Sequence, residues 1–335
     1  MIRARMWVFQ NYGLLVAIAV FIGMFTLYIS NHQAGLAVNV VTTAANKAVL
    51  LALVAMAQTI PVLTGGLDLS VGMVFVMANC LASAIVTGSP LQVALGIAGV
   101  LGAGLLAGFI NGAIVVYGRL QPIITTLATG AIYYGIALWI RPVPGGFAAR
   151  PDVDNVHETV ADFMTYTVFN ETVPTMLVLL FLVAVLIWIP FRRSVIGRGC
   201  YAIGSGGNAA YMSGVNVGRS RLAAYMLAGF LAALAGLLLT FVTYSGEASA
   251  PIGGTYTLNS IAAVVIGGTS LYGGAGTAIG SIFGAFILRT IDDLLFVFDL
   301  PPLWQPLFQG VVLLAAVSLG ALRVFRIRNR LELFG

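Results

Sequence analysis

The sequence predicts an all-α membrane protein with about ten transmembrane helices, and three observations lead to this fold class. Hydrophobic residues make up 60% of the 335 residues and charged residues only 8%, with a mean hydropathy of +1.01. Soluble domains of this length carry about three times as much charge. Apolar runs long enough to cross a bilayer as helices recur along the chain, and basic residues gather between alternate runs.

The charge and the cysteines exclude other classes. The net charge of +5 does not indicate nucleic-acid binding, because most basic residues fall in predicted cytoplasmic loops and leave no basic and aromatic patch. The only cysteines, Cys80 and Cys200, offer no disulfide framework, and two histidines cannot build a metal cluster. We therefore expect no metal and no cofactor in this chain.

Five predicted spans occupy the first part of the chain. Arg3 and Arg5 precede the first apolar run, so the chain is expected to begin in the cytoplasm. A Gly-Ser-Pro turn at 88–90 follows the third span, and Arg119 marks a cytoplasmic turn before Pro122, which begins the fifth span. These spans cover residues of about 8–29, 44–64, 68–87, 91–117 and 122–139.

The remaining spans are set by two loops of opposite charge. An acidic segment at 141–172 predicts the one substantial outer loop, and the sixth span after it is expected to end at Pro190. The segment 191–221 has five arginines and no acid, so it predicts the largest cytoplasmic loop. The sixth span is placed at about 173–189 and the seventh at about 222–244. After a short outer segment at 245–257, the eighth span begins near Leu258. The ninth span crosses the glycines near 280, and the tenth covers about 303–319. Both termini are expected inside, and residues 1–335 form a single transmembrane domain.

The stretch VLTGGLDLSVG at 62–72 holds Asp68, the only acidic residue before position 152. A charged side chain at bilayer depth costs about 2.5 to 3.5 kcal/mol on insertion scales and usually faces a cavity or a partner. Gly65 and Gly66 can break a helix, which predicts a kink beside a polar cavity. Alternatively Asp68 is the N-cap of the third span and accepts hydrogen bonds from the N–H groups of Ser70 and Val71. The two roles can coexist.

Small and polar residues inside the spans are candidates for helix packing and for a polar path. Asn111 is either an interhelical hydrogen-bond partner or a ligand contact. Thr125 and Thr126 either line a path or bond back to helix carbonyls. Arg289 stands three and four residues ahead of Asp292 and Asp293, which predicts a self-paired cluster on one helix face. Glycines at intervals of four predict two close helix contacts, at Gly104, Gly108 and Gly112 and at Gly276, Gly280 and Gly284.

One internal echo indicates either a duplication or a chance match of glycine-rich segments. VVIGGTSLYGG at 264–274 keeps the first valine, the paired glycines, a leucine and the last glycine of VLTGGLDLSVG at 62–72. With ten spans, both segments are expected at inner turns.

Four segments together resemble a known family. GGLDLSVG at 65–72, NG at 111–112, GRGCYAIGSGGNAAYMSGV at 197–215 and LNSIAAVVIGGTSLYGGAG at 258–276 are similar to the signatures of bacterial ABC sugar-importer permeases of the ribose and xylose type. They occur in the same order, and the similarity runs over nearly the whole chain. Branched-chain amino-acid permeases are more distant relatives.

The resemblance implies the type II importer permease fold, in the bacterial inner membrane. It also implies three partners: a second permease chain, identical or related, a cytoplasmic ATPase and a periplasmic sugar-binding protein. ATP would be bound by the partner, because no GK[ST] phosphate loop occurs in this chain.

The resemblance also assigns the cytoplasmic loop 191–221 to coupling with the ATPase. A short helix is predicted at 209–214, with Asn208 as its cap. Tyr211 and Met212 stand where the family usually has Arg and Leu, so the contacts are expected to differ. The coupling candidates are Arg198, Tyr201, Asn208, Ala210, Ser213 and Gly214.

Asn259 departs from the family as well, since an acidic pair is common there. A carboxylate only accepts hydrogen bonds from sugar hydroxyls, whereas the amide of asparagine donates and accepts. The candidates for a substrate pathway are Asp68, Ser70, Asn111, Thr125, Thr126 and Asn259.

These observations favour the permease subunit of an ATP-driven importer for a monosaccharide or related polyol, a protein that is not an enzyme. The alternative is an ion-coupled secondary transporter of a small polar solute that uses Asp68 as its titrating group. An intramembrane enzyme is disfavoured because the chain has no HExxH or GxSxG motif.

Overall fold

The computed structural model describes residues 12–148, 156–169, 172–308, 310, 311 and 314, and most of them are helical. The helices are α1 (Tyr12–Asn31), α2 (Val38–Leu63), α3 (Val71–Ile85), α4 (Pro90–Val116), α5 (Pro122–Ile140), α6 (His157–Thr165), α7 (Thr175–Val183), α8 (Ile189–Arg193), α9 (Val195–Ser205), α10 (Gly207–Met212), α11 (Val217–Thr243), α12 (Ala250–Ile266) and α13 (Ala278–Val297). Two antiparallel pairs of two-residue strands join β1 (Gly145–Gly146) to β4 (Ser245–Gly246) and β2 (Thr167–Val168) to β3 (Val173–Pro174).

Six helical stretches in the described part of the chain are long and apolar enough to cross a membrane. They are α1, α2, α4, α5, α11 and the continuous stretch from α7 to α8, while α3 and α12 are apolar but shorter. The all-α membrane class is therefore confirmed. Eight of the 17 residues of the tenth predicted span, 303–319, lie outside the described residues, as does the start of the first span, so the count of ten stays a prediction.

Two boundaries of the predicted cytoplasmic loop are wrong. Pro190 does not end the sixth span, because a π-helical turn at Ala184–Trp188 precedes it and the helix continues to Arg193. Proline is tolerated in the first turn of a helical segment, where its missing N–H is not needed. At the other end, α11 begins at Val217, because the Asn216 side chain accepts a hydrogen bond from Arg219 N–H at 3.0 Å and caps the helix.

Between these boundaries the segment is helical rather than a loop. Ser194 caps α9 by accepting a hydrogen bond from Gly197 N–H at 3.0 Å. The predicted short helix is present as α10, but it covers Gly207–Met212, so the predicted bounds 209–214 and the cap at Asn208 are wrong. Gly206 holds the cap position, which places Asn208 inside the first turn.

Two predictions near the end of the chain are also corrected. Helix α12 begins at Ala250 and not near Leu258, because Ser249 caps it and Pro251 stands in its first turn. The outer segment predicted at 245–257 is therefore mostly helical. Gly276 is not part of a helical glycine stripe, since α13 begins at Ala278 with Thr277 as its cap and Gly276 has φ +136°.

Helix α2 lies at the centre of the molecule, and every residue from Ala48 to Leu63 is buried. It packs against α11, α12 and α13, and α11 in turn packs against α3 and α4. A Cβ atom at Gly108 of α4 would lie 2.1 Å from Tyr225 O of α11, and one at Gly104 would lie 2.5 Å from Gly229 O. Only glycine permits this approach of two helix backbones.

Candidate functional site

The segment between α2 and α3 is a tight turn that ends one helix and carries Asp68 into the interior. Thr64 N–H and Gly66 N–H donate to Pro61 O at 2.9 and 3.1 Å, and Gly65 N–H donates to Val62 O at 2.9 Å. Gly65 has φ +76°, a conformation that glycine adopts without strain. The predicted kink at the paired glycines is therefore present.

Asp68 is 1% exposed and lies within a chain of hydrogen bonds. Its Oδ1 atom accepts bonds from Ser70 N–H at 2.9 Å and from Ser70 Oγ at 2.6 Å. Asn111 Nδ2 on α4 donates to the same Ser70 Oγ at 2.7 Å. Tyr133 Oη on α5 lies 3.0 Å from Asn111 Oδ1 and 2.9 Å from Ala107 O. This chain, which we call the Asp68 network (Asp68, Ser70, Asn111 and Tyr133), ties the turn to two helices.

Asp68 is not the N-cap of the third span, because α3 begins at Val71 and Ser70 holds the cap position. The aspartate instead folds its side chain back onto the residue two positions later, as in an Asx turn. Of the two donors expected for it, the structure gives it Ser70 N–H. The carboxylate thus fixes the geometry of the turn and, through Ser70, the position of α4.

The two threonines at the start of α5 differ in their contacts. Thr126 Oγ1 accepts a bond from Leu69 N–H and donates to Pro122 O, both at 2.9 Å. It therefore satisfies a backbone donor in the turn beside Asp68. Thr125 Oγ1 is buried and has no hydrogen-bond partner among the described residues.

Asn259 lies on α12 and is 8% exposed, and no hydrogen bond of the described part joins it to the Asp68 network. Its helix is tied to α3 by Thr257, whose Oγ1 accepts from Gly72 N–H at 3.1 Å and donates to Gly253 O at 2.9 Å. The structure thus brings Asp68, Ser70, Asn111 and Thr126 together and leaves Asn259 outside the group.

Tyr225 belongs beside this site, although the sequence did not single it out. Its phenolic oxygen is buried without a partner among the described residues. It faces the glycine turn, since a Cβ atom at Gly66 would lie 2.8 Å from it. The lone phenol in the otherwise apolar run 222–239 of α11 was the available signal, because a buried tyrosine hydroxyl usually has a hydrogen-bond partner.

The two echo segments meet at a second backbone contact. Gly274 N–H donates to Leu63 O at 3.0 Å. A Cβ atom at Gly273 would lie 2.7 Å from Gly65 N and 2.9 Å from Gly204 Cα, and one at Gly204 would lie 2.1 Å from Leu63 O. We call Leu63–Gly65, Gly204 and Gly273–Gly274 the glycine junction. It joins the end of α2, the last turn of α9 and the turn after α12.

The coupling candidates divide into a buried and an exposed group. Tyr201 is half-buried and its Oη donates to Gly276 O at 2.8 Å, which fastens α9 to the segment before α13. Ala210 is buried and anchors α10. Four candidates are exposed: Arg198, Asn208, Ser213 and Gly214. Burial raises the pKa of the Cys200 thiol on α9 to about 12, so that thiol stays protonated.

The remaining glycines of the two predicted stripes lie at helix contacts. A Cβ atom at Gly112 would lie 2.9 Å from Leu222 Cδ1 on α11, one at Gly280 would lie 2.1 Å from Gly267 O, and one at Gly284 would lie 2.0 Å from Ala263 O on α12. The predicted pairing of Arg289 is also present, with Nη1 at 3.3 Å from Asp292 Oδ2.

Comparison with known proteins identifies the family. The family described as "Branched-chain amino acid transport system / permease component" matches residues 40–317. The chain is 35% identical to the ribose import permease protein RbsC of Haemophilus influenzae over 79% of this chain and 80% of that protein.

Two further relatives carry other names. The chain is 36% identical to the autoinducer 2 import system permease protein LsrC of an Enterobacter species, over 82% of this chain and 77% of that protein. It is 31% identical to the fructose import permease protein FrcC of Rhizobium meliloti, over 81% of this chain and 74% of that protein. No solved structure matches the chain. From the extent of these matches, the chain belongs to the branched-chain amino acid transport system / permease component family.

Proposed function

We propose that this chain is the membrane subunit of an ATP-driven importer for a monosaccharide or a related polyol. It is a multi-pass membrane permease by its family and its apolar helices. Relatives named as ribose and fructose import permeases support a sugar as cargo. The same comparisons favour this function over the ion-coupled transporter. The ten-span type II importer fold, with both termini in the cytoplasm, is part of the proposal.

The proposal includes three partners: a second permease chain, a cytoplasmic ATPase and a periplasmic binding protein. ATP would bind to the ATPase, and this chain would do no bond chemistry. Supporting this, the three relatives described above are named as import permeases. The docking surface would be the exposed residues of α9 and α10, where Tyr211 is 70% and Met212 is 84% exposed. Val195 on α9 is also 77% exposed, and such exposed apolar side chains suit contact with a protein partner.

The observation that carries the coupling role is the glycine junction. The last turn of α9 touches the backbone of both echo turns, one leading to the Asp68 network and the other to α13. A displacement of α9 and α10 by the ATPase would therefore move both turns together, because backbones that pack directly on each other transmit a displacement. The Asp68 network would pass this movement to α4 and α5.

The test is transport by the reconstituted complex in proteoliposomes. We expect uptake of a labelled sugar, screened among ribose, fructose and xylose, to require the ATPase, its ATP and the binding protein. The permease alone is expected to hydrolyse no ATP. Uptake that continues without ATP and collapses with a protonophore would establish the ion-coupled alternative instead.

A further inference from the structure

We infer that a cavity at the inner ends of α4, α5 and α11 binds the headgroup of an anionic phospholipid. The cavity has a volume of about 370 Å³ and is lined by Arg119, Arg221 and apolar residues. Arg119 lies in the turn between α4 and α5, and Arg221 lies in the second turn of α11. Two arginines from separate segments therefore face one space.

The charge of this cavity is unbalanced. No acidic residue lines it, and the described residues form no ion pair with either arginine. The N-termini of two long helices border the cavity, because Pro122 begins α5 and Val217 begins α11. The positive ends of both helix dipoles add to the arginine charges. The guanidinium fork matches the oxygen atoms of a phosphate, so the electrostatics select a phosphate-bearing anion.

The walls identify a lipid rather than a soluble anion. Val115, Val116 and Leu120 make one side of the cavity apolar. That apolar surface continues onto the exposed side of α5, where Ile123 is 40% and Ile124 is 64% exposed. Basic pockets between transmembrane helices on the cytoplasmic side suit anionic lipid headgroups. A phospholipid places its phosphate between the arginines and its acyl chains along α5, whereas an acidic protein segment would leave the apolar walls uncovered.

Lipid binding to the purified permease, without any ATPase, tests this inference. Native mass spectrometry would compare dioleoyl phosphatidylglycerol with dioleoyl phosphatidylcholine, and glycerol phosphate would serve as the soluble anion. We expect preferential retention of phosphatidylglycerol. The variants are Arg119→Asn, Arg221→Gln and their combination. Asparagine is chosen because Arg119 has φ +52°, a backbone conformation that asparagine tolerates. Each single variant is expected to weaken phosphatidylglycerol binding by about fivefold.

The matched control is Arg193→Gln, an exposed arginine at the end of α8 that does not line the cavity. It should keep binding within about twofold, since it carries the same charge change on the same side. Unchanged phosphatidylglycerol binding by a monodisperse double variant would overturn the inference. So would equal retention of the two lipids by the natural protein, or glycerol phosphate binding as tight as the lipid. A separate binding assay with the ATPase tests the other occupant: a double variant that keeps the lipid but no longer binds the ATPase would assign the cavity to that protein.

Discussion

Asp68 shows how one buried carboxylate organises its surroundings. It accepts two hydrogen bonds from Ser70, and Ser70 Oγ accepts a third from Asn111. A hydrogen bond to a charged group contributes about 1.5 to 3 kcal/mol, and one between neutral groups about 0.5 to 1.5 kcal/mol. Replacing the carboxylate with an amide therefore weakens the turn without removing the oxygen that Ser70 uses.

We predict that Asp68→Asn lowers sugar uptake by more than about twofold at equal membrane levels, because the turn it holds leads into the glycine junction. The loss of about 1 kcal/mol in hydrogen bonding should also lower the thermal stability. Asp299→Asn, the same substitution at an exposed residue, is the control. Uptake by Asp68→Asn equal to that of the control would give the carboxylate a purely structural role.

Two tyrosines near this site differ in whether the phenolic oxygen has a hydrogen-bond partner, and removing that oxygen tests the difference. Tyr133 Oη has hydrogen-bond partners on α4, whereas Tyr225 Oη is buried without a partner in the described part of the chain. We predict that Tyr133→Phe destabilises the protein by about 1 kcal/mol and that Tyr225→Phe leaves stability unchanged or slightly higher. Thermal unfolding in detergent measures both. Equal losses in the two variants would mean that Tyr225 Oη has a partner.

At the scale of the helices, the sequence predicted the packing of α4 but not the start of α12. The spacing of Gly104 and Gly108 is visible in the sequence because close helix contacts need glycine at regular intervals. The start of α12 depends on Ser249 as a cap and on Pro251, and residues 250–257 include polar and glycine residues that resemble a loop. Tertiary packing against α3 and α2 keeps this segment helical, which no local pattern reveals.

The contact between α4 and α11 is testable with one methyl group. Gly108→Ala would place its Cβ atom 2.1 Å from Tyr225 O, so the helices must separate. We predict a loss of about 1 to 3 kcal/mol in stability, the usual cost of overpacking. Gly102→Ala on the same helix meets no atom within 4 Å and should be neutral or stabilising. Thermal unfolding that ranks the two variants equally would contradict the close contact.

The glycine junction gives a sharper test of coupling. Gly204→Ala would drive a methyl group against Leu63 O and Gly274 N, while Gly207→Ala, three residues later, meets open space. We predict that Gly204→Ala separates ATP hydrolysis from uptake in the reconstituted complex, with at least about a threefold fall in sugar moved per ATP. Gly207→Ala should keep the natural ratio. An unchanged ratio in a folded Gly204→Ala protein would remove the junction from the coupling path.

For the molecule as a whole, composition predicted the membrane class, and four sequence motifs pointed to the family. The Asp68 network was only partly predictable, because Asn111 reaches Ser70 across 41 residues of sequence and Tyr133 reaches Asn111 across 22. The glycine junction was not predictable for the same reason, since its members are distant in sequence. The echo of 62–72 in 264–274 was visible in the sequence, but the contact between the two segments and with Gly204 depends on how three turns pack.

The long-range contacts of α2 also set the order in which the chain can be completed. Thr59 on α2 bonds to Ser281 on α13 at 2.7 Å, across 222 residues of sequence. At about 5 to 20 residues per second, α2 is synthesised roughly 10 to 45 s before that partner exists. Gly13 of α1 likewise packs on Gly268, whose backbone is made at the same late stage. The final third of the chain therefore closes contacts that the first helices leave open. A nascent chain released before Gly268 lacks the contacts of α1 with Gly268, of α9 with Gly273–Gly274 and of α2 with α13, although α2 keeps α11 and α12.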